Sequence, residues 1–314
     1  MRRRLFLIVA GWWAFAPHVP AAEITAEKND HGVTVKIDGK LFCEYLVRSG
    51  NKPVIWPIIG PTGKAMTRSF PLDPKAPDSE SRDHPMHRSL WFAHGDVNGV
   101  DFWFEKSTSG SIVHRSFERI EGGREAIVVA RADWLKPDGK RICQDERTLR
   151  FGADERVRWI DFQIVLRATD GPLTFGDTEE AGLAMRVADT MTVDAQRGGK
   201  IINREGKTDG AAWGQPAAWV DYHGPVQGEQ LGVAILNHPS SFRHPTTWHV
   251  RPYGLFAANP FGLHHFSGGR SPSGAHKVAA GETLSLRHRV LLHQGDEKAG
   301  HVAEAFAAYA RTKD

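Results

Sequence analysis

The sequence predicts an all-β protein: a large antiparallel β-sandwich with one helix at its C-terminal end. Three observations carry that prediction. Long stretches of the 314 residues alternate apolar and polar side chains, 32 Gly and 18 Pro punctuate those stretches, and no regular succession of helical segments intervenes. Hydrophobic residues at 40% and charged residues at 25% belong to a folded globular chain, which excludes wholesale disorder, a collagen-like repeat and a polytopic membrane protein.

At the start of the chain, Arg2, Arg3 and Arg4 precede an apolar stretch from Leu5 to Ala16, and Val19-Pro20-Ala21-Ala22 offers small residues to a peptidase. The stretch is roughly 12 residues, short of the ~20 that cross a bilayer as a permanent helix, so residues 1–22 read as a cleaved export signal. Arg3-Arg4-Leu5-Phe6-Leu7 also fits the core of a twin-arginine signal, with ordinary Sec export as the alternative. The expected location is periplasmic or secreted. The signal takes three Arg with it, so the 40 Lys and Arg fall to 37 and balance the 37 Asp and Glu. A neutral chain without basic clusters argues against a nucleic-acid partner and against stable membrane insertion after cleavage.

Residues 23–314 read as one β-sandwich domain. Period-two runs cover Val33 to Ile37, Leu41 to Val47, Ile112 to Ile120, Ala126 to Trp134, Arg141 to Phe151, Val157 to Ala168, Ala217 to Tyr222, Leu231 to Leu236 and Leu284 to His293. A further strand follows Glu179-Glu180 and carries Arg186. Phe70 to Pro85, with four Pro among Asp, Ser and Lys, reads as a long surface excursion of the kind that often carries function. Asp296 is the expected cap of the C-terminal helix, on which Val302, Phe306 and Tyr309 share a face. Trp213 to Pro216 and Trp219 are assigned to packing. Cys43 and Cys143 admit either a disulfide, given an oxidising compartment, or two buried thiols on strands.

The candidate chemistry lies in two His-rich segments. Asp83 to Trp103 holds His84, His87, Arg88, Trp91, His94, Asp96 and Asp101, and Asn237 to His265 holds Arg243, His244, Trp248, His249, Arg251 and Tyr253. Imidazoles exchange protons near neutral pH, guanidinium forks fix hydroxyl arrays or carboxylates, and indole faces stack on sugar rings. Glu179-Glu180 adds a carboxylate pair of which one member is expected to enter a cleft. The catalytic candidates are therefore His84, His87, Asp96, Glu179 and His244. Arg88, Trp91, His94, Asp101, Arg186, Arg243, Trp248, His249, Arg251 and Tyr253 are the substrate-binding candidates. No cofactor is required. If a divalent metal were bound, His84, His87, His94 and Asp96 would be its candidate ligands, although residues three apart on a strand face opposite ways and would converge only on a turn.

HPMHRSLWFAHGDVNGVDFW, EEAGLAMRV and HPTTWHVRPYGLFAANPFG resemble an exported bacterial family usually labelled PmoA-like, and the resemblance covers nearly all of the mature chain. The label borrows the name of a methane monooxygenase subunit, an integral membrane protein. This chain, beyond its signal, has no apolar run approaching ~18 residues. The resemblance implies a galactose-mutarotase-like sandwich of the kind found in many carbohydrate-active proteins. By that analogy His87 or His244 would be the acid and Glu179 or Asp96 the base, with Arg88, Arg243 and Arg251 orienting hydroxyls or a uronate. The leading functional reading is an exported carbohydrate-active enzyme, a hydrolase, lyase or isomerase acting on a sugar or oligosaccharide. Two alternatives stand beside it: a non-catalytic sugar-binding module, and a divalent-metal oxidoreductase as the family label suggests.

Overall fold

A computed structural model describes residues 22–313, so the predicted signal, Ala22 apart, lies outside the described residues. In chain order the strands are β1 Ile24–Asn29, β2 Gly32–Ile37, β3 Lys40–Ser49, β4 Lys52–Ile58, β5 Leu90–His94, β6 Ser111–Glu121, β7 Ala126–Leu135, β8 Arg141–Ala153 and β9 Val157–Arg167. There follow β10 Leu173–Phe175, β11 Ala181–Arg186, β12 Lys200–Asn203, β13 Trp219–Val226, β14 Glu229–Asn237, β15 Trp248–Val250, β16 Leu255–Ala258, the short helix α1 Leu263–Phe266, β17 His276–Val278, β18 Thr283–Gln294 and the helix α2 Val302–Tyr309.

Two antiparallel eight-stranded sheets form the sandwich. The first has the order β1-β2-β3-β4-β5-β11-β16-β15 and the second β12-β13-β14-β18-β9-β8-β7-β6, while β10 and β17 pair apart from both. The core is the layer between them, where side chains of one sheet meet those of the other. Phe42 of β3 meets Phe151 of β8 at 6.2 Å, Phe92 of β5 stacks on Phe162 of β9 at 6.5 Å, and Phe256 of β16 meets Tyr222 of β13 at 6.2 Å. Strands β7, β8 and β9 of the second sheet alternate because only their core face is fully buried. On β9, Ile160, Phe162, Ile164 and Leu166 point inward and their neighbours remain partly accessible, as the periodicity predicts.

An ion pair is embedded in this apolar layer. Asp145 and Arg147 are each 1% exposed, and the Arg147 guanidinium donates twice to the Asp145 carboxylate at 2.9 Å. The same carboxylate accepts the Trp134 indole N–H at 2.7 Å. Asp145 is therefore the shared acceptor on which both the Arg147 guanidinium and the Trp134 indole depend.

Cys43 and Cys143 are both free thiols, on β3 and β8, and both are fully buried. The C-terminal helix starts later than the sequence predicts. Asp296 accepts the N–H groups of Lys298 and Ala299 at 3.2 and 2.9 Å, closing a local turn, and the helix begins at Val302 behind His301 at φ 49°. Asp296 accepts as a helix cap does, but the turn it opens is broken at His301, whose left-handed backbone separates it from the helix. Val302 and Tyr309 are buried as expected, against Trp219, Leu236 and Leu291.

Asp145→Asn is expected to cost about 3–5 kcal/mol by leaving the Arg147 charge uncompensated, measured by denaturant unfolding, and a loss below about 1 kcal/mol would refute the paired network. Ellman's reagent should titrate neither thiol in the native protein and 2 after denaturation; burial pushes both thiols well above their ordinary ionisation range.

Candidate functional site

The face of the first sheet turned away from the core carries the candidate site. On β5, Phe92 points into the core, so Trp91 and Ala93 point outward. The register pairs Trp91 with Ala184, and Ala184 and His249 with Ala257, so these positions and Arg186 share the outer face. Ala93, Ala184 and Ala257 keep this floor low. Gly182 is required beside them: its φ is 99°, and a Cβ there would fall 1.9 Å from the Ala258 carbonyl oxygen.

Loops close over that floor. Arg68 is fully buried and organises the excursion between β4 and β5, donating to the carbonyls of Phe70, Ser81, Asp83 and His84 at 2.9–3.2 Å and to that of His87 at 3.4 Å. Its guanidinium also meets the Asp83 carboxylate at 2.5 Å, and Arg186 reaches the same oxygen at 2.8 Å. Burial opposes the charge on Asp83, yet Arg186, His84 and Arg68 hold its carboxyl far below the usual carboxylate range.

Above this clamp four rings stack in a column. Tyr253 lies on His84 at 5.1 Å and 2°, His84 on His87 at 4.8 Å and 8°, and His87 on Trp91 at 5.3 Å and 21°. Trp103 meets both His87 and Trp91 edge-on. His84 donates its Nδ1–H to Asp83 at 2.9 Å, which directs its Nε2 elsewhere. His87, 1% exposed, is kept neutral down to about pH 2 by burial and by the positive charges of its neighbours. Arg186 lies over the Tyr253 ring at 4.9 Å and Arg251 at 5.9 Å, with Arg251 equally 5.9 Å from Trp213.

Glu180 is the acid of this cluster. Burial first, then the charges of Glu179 and Asp101, push its carboxyl up to about 7 against the pull of Arg251. Its electrostatic neighbours include Tyr253, whose phenol is pushed up to about 12 by burial and by Glu180. His249 completes the group. Its Nδ1–H donates to the Glu179 carbonyl at 2.7 Å and its Nε2 is 3.8 Å from the Glu179 carboxylate. Burial lowers its proton affinity. Buried polar atoms without a protein partner concentrate here: Nδ1 of His87, Nε1 of Trp91, Trp103 and Trp213, Oε2 of Glu180, and Nε and Nη1 of Arg186. Asp83, Arg186 and Tyr253 border an adjoining cavity of about 680 Å³, whose walls include the hydroxyls of Thr67, Ser69 and Ser81.

The two His-rich segments thus meet, but only in part. His84, His87, Trp91, Arg186, His249, Arg251 and Tyr253 come together. His244 and Arg243 do not: His244 bonds Asn237 at 2.9 Å and stacks on Phe306 of α2, and Arg243 donates to the carbonyls of Pro260, Gly274 and Ala275. They border a separate cavity of about 550 Å³. Trp248 alternates with His249 and so faces the core, its indole N–H bound to the Ala217 carbonyl at 2.9 Å. His94 alternates with Ala93 and is packed against Phe175 and Phe261, so burial holds it neutral down to about pH 3. Asp96 and Asp101 cap backbone turns, accepting from Gly99 and from Trp103 and Phe104. Arg88 is bound by Glu105 through two contacts of 2.8 Å.

His84, His87, His94 and Asp96 therefore do not assemble as metal ligands, because strand parity separates His94 and a turn engages Asp96. Of the carboxylate pair, Glu180 rather than Glu179 has the buried carboxyl; the Glu179 side chain is 39% exposed. Trp213, assigned to packing from sequence, stands instead against His249 and Arg251. No sequence pattern distinguishes it from Trp219, which is in the packing layer under α2.

An unfolded glutamate ionises near 4.5, whereas Glu180 keeps its proton to about 7, so folding takes up a proton between these values and stability declines as pH rises through that window. Above it the buried carboxylate costs on the order of 3 kcal/mol. Glu180→Gln should therefore be more stable than the wild type at about pH 8, by up to that amount, and equal to it at about pH 4. Chemical denaturation at the two pH values measures this, and equal stability at both would show that the carboxyl is not buried as described.

No curated protein matches the sequence significantly. Residues 32–307 match the profile of a family of unknown function (DUF6807), and the chain belongs to that family.

Proposed function

We propose that the chain is an exported carbohydrate-active enzyme, a hydrolase, lyase or isomerase, that uses Glu180 as its general acid. The observation that carries this reading is a carboxyl held protonated to about 7 beside an array of buried donors without protein partners. A group with a proton affinity near the working pH is the best compromise between holding the proton and delivering it. The indole N–H groups of Trp91 and Trp103 and the guanidinium groups of Arg186 and Arg251 suit a polyhydroxylated or uronic substrate, whose oxygens accept from many directions. His249, with Nδ1 committed to a carbonyl, presents an unprotonated Nε2 and is the proposed base.

The sandwich of two eight-stranded sheets supports the galactose-mutarotase-like assignment to which the sequence resemblance points, and fold analogy alone assigns no reaction. The chemistry comes from the outer face of the first sheet. The export signal, periplasmic or secreted location, and the PmoA-like affiliation belong to the same proposal. A non-catalytic sugar-binding module would use the same donors without needing the raised carboxyl. A divalent-metal oxidoreductase would need ligands that His84, His87, His94 and Asp96 do not assemble here.

The test is a product screen on a glycan panel that includes uronic acids. Glu180→Gln is expected to lower kcat/KM by about 10²–10⁴, and His244→Ala to leave it within about threefold. The wild-type rate should fall as pH rises through about 7, where Glu180 ionises. Full activity in Glu180→Gln would exclude the acid role. Binding of a panel sugar without turnover, lost in Trp91→Ala, would select the binding module.

A further inference from the structure

A second cluster of titratable groups lies on the outer face of the second sheet, beneath the turn that precedes α2. Tyr222 of β13 faces the core, so Asp221 and His223 face outward, and both are buried under residues 295–301. The two Asp221 oxygens are engaged separately: Oδ1 is 2.6 Å from His223 Nδ1 and Oδ2 is 2.6 Å from His293 Nε2. His293 is fixed. Its Nδ1 faces the Gln294 carbonyl at 3.2 Å, and a Cβ on Gly232 or Gly300 would fall 2.1 or 2.3 Å from its ring. Glu297 then brings a second carboxylate to the same imidazole, its Oε2 4.0 Å from His223 Nδ1 with the side chain 13% exposed.

Hydrogen bonding accounts for Asp221, which has an imidazole on each oxygen, but not for Glu297. Two carboxylates crowd one ring nitrogen, an arrangement that costs energy by like-charge repulsion in a poorly solvated place and that a dication relieves. One donor atom from each of Asp221, His223 and Glu297 lies within 4.8 Å of the others. A tetrahedral zinc ion with bonds of about 2.0–2.2 Å needs donors roughly 3.3–3.6 Å apart, so the present separations bracket that geometry. Zinc entry would open the 2.6 Å Asp221–His223 contact by about 0.7–1.0 Å as the ion replaces that hydrogen bond, and would draw in Glu297, the least buried of the three.

We propose that Asp221, His223 and Glu297 form a binding site for a first-row divalent cation, best matched by zinc, with His293 orienting the Asp221 carboxylate from outside the coordination sphere. One imidazole and two carboxylates balance the ion's charge and leave a fourth position for water. Such an ion ties the 295–301 turn to β13 and so fastens α2 against Trp219 and Leu291. It is a structural clamp, independent of the acid chemistry around Glu180.

The full-length mature protein, stripped with chelator and dialysed against equimolar zinc chloride, should retain close to one zinc per chain by mass spectrometry and melt at higher temperature than the stripped protein. Glu297→Gln and His223→Ala should each weaken zinc binding at least tenfold and abolish the melting shift. Should His223→Ala fail to fold, Glu297→Gln decides, since it keeps the volume of a side chain at the edge of the cluster and removes only its charge. No zinc retained by the wild type, or equal zinc binding by wild type and Glu297→Gln, would overturn the proposal.

Discussion

The buried guanidinium of Arg68 is the constraint on which the candidate site depends. An arginine removed from water must find partners for its N–H groups or destabilise the fold by several kcal/mol. Arg68 finds them in one loop: carbonyls from Phe70 to His87 and the carboxylate of Asp83. Because Asp83 also accepts from Arg186 on β11, the loop is fastened to the sheet that forms the floor. Two guanidinium groups then share one carboxylate, and their mutual repulsion is contained only while Asp83 remains ionised between them. The path of the chain follows from this, including the left-handed backbone at His84, with φ 42°, which turns its ring beneath Tyr253.

The column of rings changes the role expected of the aromatic residues. Indole faces bind sugars by stacking, but the Trp91 face is covered by His87 and its flank by Trp103. What the column leaves without a protein partner is ring edges: the buried indole N–H groups of Trp91 and Trp103 and Nδ1 of His87. Burial and the charges of His84, Arg186 and Arg68 hold His87 neutral, and packing fixes the directions of the indole N–H groups before any ligand arrives. Fixed dipoles of this kind need no reorganisation when charge develops in a reaction, the condition under which electrostatic stabilisation is largest.

How much of this the sequence reveals depends on burial. Strands β8 and β9 alternate because one face meets the core and the other remains accessible, and their boundaries are legible within a residue or two. Strands β5, β11, β15 and β16 are buried on both faces, the outer one by the loops that make the site, so period two vanishes from them. The strands that carry the candidate chemistry are the ones that periodicity hides. Clustering of His, Arg and Trp marks the two segments that contribute to the candidate site, yet proximity along the chain did not survive folding uniformly. Between His244 and His249 the chain passes from the side of α2 to the outer face of the first sheet, and Trp248 and His249 part because adjacent strand residues point apart. The same parity separates Glu179, the member of the pair that the sequence reading favours, from Glu180, whose carboxyl is the buried one beside the charges of Asp101 and Arg251.

Glu180 and Asp221 are both buried carboxyls, and their surroundings drive them in opposite directions. Around Glu180 the nearest charges after burial are carboxylates, so ionisation is deferred and the proton is retained. Around Asp221 burial has the same sign, but His293 and His223 outweigh it and hold the group as an anion. A retained proton is available to donate, as a hydrogen bond or outright, and a stabilised anion is available to a positive partner. Each environment was built at a cost in desolvation that an apolar pair would have avoided, and neither is needed to close the sandwich, whose core lies between the sheets. On the proposed readings the two outer faces divide the labour: proton chemistry over the first sheet, and charge neutralisation under α2 on the second.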